Sequence, residues 1–112
     1  MSKSIVLDNI KVGYLNYDIN QVNHEYAEDN DFVGITDYQK QVIKIKESLS
    51  KNELVNTVLH EILHCCNFYF GMKEHTGSKL EEKFVDCMAN GLTTILRDNL
   101  EILDWLKENI EK

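Results

Sequence analysis

Residues 50–71 read SKNELVNTVLHEILHCCNFYFG, and most of the architecture can be worked out from this segment. It opens with a helix-start signal, because Ser50 can cap a helix and Glu53 stands three residues further on, as a capping box requires. Gly71 suits the end of the same helix. The pattern therefore predicts a helix from about residue 51 to about residue 70. Its apolar residues cover more than one narrow stripe, which indicates a central and largely buried helix: Leu54, Val55, Val58, Leu59, Ile62, Leu63 and Tyr69.

Inside this helix lies the motif His60-Glu61-Ile62-Leu63-His64. At about 100° per residue, positions i and i+4 lie about 40° apart and one turn along, so both imidazoles point the same way and can bind one ion. Glu61 can then reach a water activated by the metal without being a ligand itself, and zinc lowers the pKa of such a water to about 7. The sequence therefore predicts a zinc site at His60 and His64, with Glu61 as the general base.

The alternative interpretation of the motif is an incidental polar patch. By rough residue frequencies, a chance match in a chain this short has a probability below about 1%. The motif also takes two of the four histidines of the chain and places them in an otherwise apolar helix. Burying such groups unpaired is costly, and a metal ion removes that cost. Both arguments favour the metal site.

A catalytic zinc site needs a third protein ligand. The extended metzincin pattern would place a third histidine at position 70, where this chain has Phe70. Two candidates remain, Glu82 and His75. Glu82 lies on a second predicted helix, residues 79–97, and would reach the metal if that helix ran antiparallel to the first. Asp86 shares its face four residues on and could orient a ligating histidine.

The segment between the two helices, residues 72–78, is predicted to be a loop. Ser78 would cap the second helix, with Glu81 completing a capping box. His75 in this loop is a third ligand, a donor to the transition state or an ordinary surface histidine. The alternative role for Glu82 is that of a solvated acidic residue, since the helix dipole favours negative charge in the first turn of a helix.

Several other residues carry a weaker signal. Four side chains are able to stabilise an oxyanion, and nothing in the sequence places them: Tyr69, Tyr38, His24 and Arg97. Cys65 and Cys66 directly follow His64 and face away from a metal held by the two histidines. We expect them to belong to the core.

The first half of the chain has the short alternating runs of a sheet. The pattern predicts strands at residues 10–14 and 32–36 and a loop at residues 27–31. For residues 17–22 it is consistent with either a strand or the start of a helix. Residues 41–46 are a strand that pairs with 32–36 as a hairpin through a turn at 37–40, and its lysines would tolerate an edge position. The final segment, residues 100–110, is amphipathic and predicted to pack across the other helices. The fold class is therefore α+β, a small N-terminal antiparallel sheet or hairpin packed on a helical part, with residues 1–112 as one domain.

Composition narrows the possible partners. The formal net charge is −7, from 19 acidic and 12 basic residues, which disfavours nucleic acid and anionic membranes as partners. No apolar run approaches the roughly 20 residues of a membrane span, and the N-terminus has only three apolar residues before Asp8, too short a stretch for a signal peptide. The three cysteines are odd in number and two are adjacent, a poor disulfide framework. These features predict a cytoplasmic protein with reduced thiols.

The two helical motifs together resemble a known family. The run Leu59-His60-Glu61-Ile62-Leu63-His64 and the later Glu82-x-x-Val85-Asp86-x-Met88-Ala89 are similar to the minimal gluzincin metallopeptidases, such as ImmA/IrrE-type domains and related small phage and prophage proteins. The family's second motif is E-x-x-A-[ND]-x-F-A, and this chain has Val85 and Met88 where the family has a small and an aromatic residue. The resemblance spans roughly residues 32 to 97. It implies a Zn²⁺ cofactor with Glu82 as third ligand and Asp86 as its supporting residue.

The expected function is that of a zinc-dependent metallopeptidase. Its peptide or protein substrate is not specified by the sequence, and the strand at 41–46 could hold it by strand addition. A phage origin would place the enzyme in the host cytoplasm. The alternative is a non-catalytic, zinc-containing binding or adaptor protein on a metallopeptidase scaffold. The intact Glu61 favours the enzyme, because a purely structural zinc site needs no general base.

Overall fold

A computed structural model describes residues 7–71 and 73–111, with the backbone alone for residues 73–78. Four strands are followed by the main helices, and one short helix interrupts the strands. In chain order the elements are β1 (Asn9–Val12), β2 (Leu15–Val22), α1 (His24–Asp29), β3 (Gly34–Asp37), β4 (Val42–Lys46), α2 (Lys51–Phe70), α3 (Lys73–Asp98) and α4 (Glu101–Asn109). The predicted α+β class is confirmed.

The strands form one mixed sheet in the order β1-β2-β4-β3. β1 pairs with β2 and β3 pairs with β4 in antiparallel fashion, so the predicted hairpin is confirmed, with Gly34 opposite Ile45 and Asp37 opposite Val42. The sheet is not antiparallel throughout, because β2 and β4 pair in parallel. α1 and β3 lie between them in the chain and supply the crossover that a parallel pair requires.

The predicted edge position of the 41–46 strand is wrong, because β4 lies between β2 and β3. Its lysines do not face solvent at an edge but are covered by α1. The Nζ atom of Lys46 is 2.7 Å from Glu28, and Nζ of Lys44 is 3.3 Å from the hydroxyl of Tyr26. The predicted loop at 27–31 is correspondingly wrong for its first residues, which end α1. The exposed edge of the hairpin is β3.

α2 packs on the other face of the sheet and forms the core with it. Buried residues from β1, β2 and β4 meet Cys65 of α2, and several half-buried side chains close around them. The fully or nearly fully buried members of this cluster are Val12, Tyr17, Ile19, Ile43, Ile45 and Cys65. Gly13 (φ +63°) permits the tight β1–β2 turn, and any Cβ there would collide with the ring of Tyr69.

The bounds predicted for α2 are confirmed, as is its capping box. Glu53 N–H donates to Ser50 Oγ at 3.2 Å, and Ser50 N–H donates to the Glu53 carboxylate at 3.0 Å. Gly71 closes the helix with φ +88°, the left-handed geometry that glycine adopts without strain.

α3 begins earlier than predicted, at Lys73 and not at about residue 79. The predicted loop is therefore wrong for residues 73–78, and residue 72 lies outside the described residues. Ser78 falls within the helix and is not its N-cap. α3 runs antiparallel to α2, since Glu81 contacts His64 near one end of the pair and Asn90 contacts Asn56 towards the other.

The prediction that the last helix, α4, packs across the other helices is wrong, because none of the residues of α4 is buried. Leu103, Trp105 and Ile110 remain exposed. Across the described residues, no helix combines the length and apolar character needed to cross a membrane.

Candidate metal centre

His60 and His64 stand one turn apart on α2, and their rings converge. Their Nε2 atoms are 3.2 Å apart and their ring centroids 4.8 Å apart. Both side chains are largely but not fully covered, at 19% and 17% exposure. The two Nε2 atoms therefore face one small space, as the helical spacing predicts.

Glu82 enters this space from α3. One carboxylate oxygen lies 2.8 Å from His64 Nε2 and the other 3.5 Å from His60 Nε2. The donor atoms of the three residues all fall within 4.8 Å of one another. Tetrahedral bonds of about 2.1 Å to a single ion place ligand atoms roughly 3.4 Å apart, so the spacing fits a zinc-sized cation.

The outer nitrogen of each ring faces a second carboxylate. His64 Nδ1 is 2.6 Å from Glu81 Oε2, and His60 Nδ1 is 3.2 Å from Asp86 Oδ1. Because an ionised carboxylate only accepts, His64 Nδ1 can donate its proton to Glu81, and His60 Nδ1 lies within ion-pair distance of Asp86. In the neutral tautomers that carry the proton on Nδ1, the Nε2 lone pairs point inward. Metal-binding histidines are commonly held in this way.

The same cluster is also consistent with an ion pair in which His64 carries the charge. Burial alone would lower the pKa of His64, but the hydrogen bond with Glu81 and the negative charges of Glu61, Glu82 and Glu81 outweigh it and raise the pKa. A protonated His64 between Glu81 and Glu82 would join α2 to α3 without a metal. Metal content distinguishes the two arrangements.

Glu61 lies beneath the cluster, against the sheet. Its side chain is buried, with 5% exposure, and Thr36 Oγ1 donates a hydrogen bond to it at 2.7 Å. Burial raises the pKa of Glu61, opposed by the Thr36 hydrogen bond and by His60 and His64. Gly34 gives this carboxylate room, because a Cβ there would come within 3.3 Å of Glu61 and 2.6 Å of Thr57.

A cleft of about 450 Å³ runs along β3 and is lined by both histidines and three of the carboxylates, those of Glu61, Glu81 and Glu82. Tyr38 forms part of its wall, with its ring stacked on Phe68 at 4.3 Å. Burial, together with nearby Cys65, Glu81, Glu61 and Tyr17, raises the pKa of Tyr38, so its hydroxyl stays protonated. Of the four oxyanion-stabilising candidates, Tyr38 is the one in the wall of this cleft.

The other three candidates lie elsewhere. Tyr69 packs against the core beneath Gly13, and His24 begins α1, where its backbone N–H donates to Glu47. Arg97 is paired with Asp98 at the end of α3, with its Nε 3.0 Å from the carboxylate. The side chain of His75 lies outside the described residues.

The cysteines are free thiols. Cys65 is fully buried in the sheet–α2 core, as predicted, and burial raises its pKa to about 11. Cys66 is half-buried and packs against the same core, and burial raises its pKa as well. Neither residue belongs to the His60–His64–Glu82 group.

Sequence reasoning missed three contributors to the site: Glu81, Thr36 and Gly34. Glu81 was assigned to a capping box, and the strand residues carried no chemical motif. The adjacency of Glu81 and Glu82 was the one available signal, since neighbouring residues on α3 flank the two nitrogens of the His64 ring.

The molecule is thus an α+β protein in which His60, His64 and Glu82 come together between α2 and α3 as a group that could hold a metal ion. In comparisons with known proteins, no family model, no curated protein and no solved structure matches the chain.

Proposed function

We propose that this protein is a zinc-dependent metallopeptidase of the minimal gluzincin type. One observation carries the proposal. The Nε2 atoms of His60 and His64 converge with the Glu82 carboxylate, in a cleft that also holds the buried carboxylate of Glu61. Three ligands with a separate carboxylate beside them are the arrangement of a catalytic rather than a closed structural zinc site.

Zinc is the metal that best fits this donor set. Two imidazole nitrogens and one carboxylate suit Zn²⁺, whereas Mg²⁺ and Ca²⁺ prefer sites made of oxygen alone. When bound, the ion would acidify a water to a pKa of about 7 and polarise a substrate carbonyl. His60, His64 and Glu82 would hold it, and Asp86 and Glu81 would fix the ring orientations.

Glu61 is the general base in this proposal. Its carboxylate takes a proton from the attacking water as the C–O bond forms, and delivers that proton to the leaving nitrogen as the C–N bond breaks. Peptide and water are thereby converted to a carboxylic acid and an amine, and transfer of the acid's proton to the amine gives the carboxylate and ammonium products. Burial of Glu61 supports this role, because it increases the proton affinity of the carboxylate. The hydrogen bond from Thr36 holds the group in one orientation.

Tyr38 is proposed to stabilise the oxyanion that develops on the carbonyl. Its ring is fixed by the stack on Phe68 and the residue forms part of the cleft wall, and we propose that its hydroxyl acts there as a rigid donor. Such preorganised donors stabilise the transition state because they need no reorientation during the reaction.

β3 is the proposed support for the substrate backbone. It forms an edge of the sheet and borders the cleft through Gly34, Ile35 and Thr36. An extended peptide could add to this edge by main-chain hydrogen bonds. The proposed edge for strand addition is therefore β3 and not residues 41–46, which lie inside the sheet.

The competing candidate is a binding or adaptor protein that uses the same scaffold. It is favoured by the close contacts of His64 with Glu81 and Glu82, at 2.6 and 2.8 Å, which would hold α2 and α3 together as an ion pair. The buried Glu61 favours the enzyme, since an ion pair between the helices does not require it. Three free thiols suit a reducing cytoplasm as the proposed site of action.

Metal analysis tests the proposal most directly. Protein purified without added metal should contain about one zinc per chain. The metal should be lost in Glu82→Ala and retained in His75→Ala, the variant of the alternative ligand. Loaded wild type should then hydrolyse members of a mixed peptide library. A wild type that takes up no zinc even after supplementation would exclude the metallopeptidase and favour the ion-paired scaffold.

A further inference from the structure

A second cleft adjoins the metal centre and has a different lining. It has a volume of about 660 Å³ and lies between the first half of α2 and the second half of α3, beside the start of β3. Gly34, His60 and Glu61 line both this cleft and the metal-centre cleft. The two clefts therefore adjoin at these residues, and a peptide bound at the metal would bring a neighbouring side chain to the second cleft.

Most of the residues that line this cleft are uncharged and carry an amide or a hydroxyl group. Amide and hydroxyl side chains come from both helices: Asn52, Asn56, Thr57, Asn90, Thr93 and Thr94. Apart from His60 and Glu61 at the junction, Glu53 is the one charged residue that the described part of the chain contributes to the lining, and its carboxylate accepts the N–H of Ser50. Among the residues whose side chains the structure describes, no lysine or arginine lines the cleft to receive an acidic group.

The hydrogen bonds within the cleft leave some donor and acceptor atoms of its side chains unpaired. Asn56 Nδ2 donates to Asn90 Oδ1 at 2.9 Å and lies 3.4 Å from Thr93 Oγ1. The hydroxyls of Thr93 and Thr94 donate to carbonyls of their own helix, at 2.7 and 3.0 Å. Within the described part of the chain, Asn56 Oδ1 and Asn90 Nδ2 have no partner.

The pair therefore presents one free acceptor and one free donor. Exchanging nitrogen and oxygen in both amides reverses their order, and the pair still presents one free acceptor and one free donor. One acceptor beside one donor is the complement of a primary carboxamide. A carboxylate offers no donor for the free acceptor, an ammonium offers no acceptor for the free donor, and a hydrocarbon offers neither.

We propose that the cleft at Asn56 and Asn90 is a specificity subsite for a carboxamide side chain, that of glutamine or asparagine, next to the bond that is cut. The inference rests on the proposed peptidase function and names its substrate class. Sites built to hydrogen-bond a polar group discriminate strongly against analogues that lack it, because their own polar groups are then left unpaired.

The first test compares cleavage of matched quenched peptides by zinc-loaded protein. Four peptides differ at one position and carry glutamine, glutamate, methionine or lysine there. Wild type should cleave the glutamine peptide with a kcat/KM about tenfold or more above that for methionine, the apolar analogue of similar length. In Asn90→Leu this ratio should fall towards one. Asn109→Leu, the same change on α4 outside the cleft, should keep the wild-type ratio.

Asn90→Asp provides a variant that alters the preference without removing the side chain. Aspartate accepts the Asn56 hydrogen bond and replaces the free donor with a second acceptor, so the preference should move from glutamine to lysine. Retained zinc content and an unchanged circular dichroism melting curve would show that the variants are folded.

A binding measurement separates this inference from catalysis. In side-chain amide NMR spectra, N-acetylglutamine methylamide should shift the Asn56 and Asn90 signals of wild type, and N-acetylglutamate methylamide should not. Equal cleavage of the four peptides by an active wild type would overturn the subsite and leave the peptidase standing. A zinc-loaded wild type that cleaves no peptide but shows the glutamine-specific shifts would overturn the peptidase and leave a carboxamide-binding cleft. Absence of both would overturn both.

Discussion

Glu81 Oε2 lies 2.6 Å from His64 Nδ1, while the adjacent Glu82 contacts the other nitrogen of the same ring at 2.8 Å. The two glutamates differ in burial, since the side chain of Glu81 is 15% exposed and that of Glu82 is 54% exposed. Glu81, the more buried of the two, contacts the His64 ring from outside the group of His60, His64 and Glu82. The more exposed Glu82 completes that group. One pair of neighbouring residues thus orients His64 and supplies the third candidate ligand.

We predict that Glu81→Ala weakens zinc binding by about 10- to 100-fold without unfolding the protein, because the His64 ring loses the acceptor that fixes its tautomer and orientation. Glu81→Gln, which keeps an acceptor but loses the charge, should fall between this variant and wild type. Competition with a zinc chelator measures the affinity. Glu108→Ala on α4 is the control, and equal zinc affinities for Glu81→Ala and wild type would remove the orienting role of Glu81.

Glu61→Gln separates metal binding from catalysis. The amide keeps the size of the side chain but cannot take the proton of the attacking water, so hydrolysis should fall by about 10²- to 10⁴-fold. Zinc content should stay at the wild-type level, because Glu61 is not part of the donor group. Single-turnover peptide hydrolysis gives the rate of the chemical step, and metal analysis of the same preparation gives the zinc content. Full activity in this variant would require another base.

Tyr38→Phe tests the proposed oxyanion donor with little structural change, because phenylalanine can preserve the stack on Phe68. Loss of the hydroxyl should lower kcat by about 10²-fold and leave KM nearly unchanged, since the hydrogen bond forms mainly in the transition state. Tyr14→Phe is the matched control, because Tyr14 is 86% exposed. A change confined to KM would assign Tyr38 to substrate binding instead.

The parts of the fold that short-range signals define were predictable from the sequence. Ser50, Glu53 and Gly71 act within one helical turn of the ends of α2, so its bounds followed from local chemistry. The parallel pairing of β2 with β4 was not predictable, because an alternating pattern gives the buried face of a strand but not its neighbour.

The start of α3 shows how a local signal can mislead. Ser78 and Glu81 have the spacing of a capping box, yet both fall inside the helix. A glycine such as Gly77 costs a helix only about 1 kcal/mol, which its surroundings can outweigh. Glu81 is consequently not a capping residue, and its partner His64 is 17 positions away. Contacts over that separation are set by the packing of α2 on α3, and the spacing of Ser78 and Glu81 does not predict them.

The capping box of α2 should make stability depend on pH in a defined direction. Hydrogen bonds with Ser50, backbone first and then side chain, lower the pKa of Glu53 below its ordinary value. A carboxylate whose pKa is lower in the folded state contributes stability above its unfolded pKa of about 4.3, and that contribution is lost as the pH falls through the folded pKa. Glu53→Gln should therefore be less stable than wild type at neutral pH, and the difference should shrink on acidification below about pH 4.

Ser50→Ala provides the complementary measurement on the same cap. It removes the acceptor for the Glu53 N–H and should cost about 1 kcal/mol at neutral pH. Urea unfolding of wild type and the two variants at pH 7 and at pH 3.5 gives all the required free energies. A difference between wild type and Glu53→Gln that is the same at both pH values would show that the charge on Glu53 does not stabilise the start of α2. The cap would then act through the Ser50 hydroxyl alone.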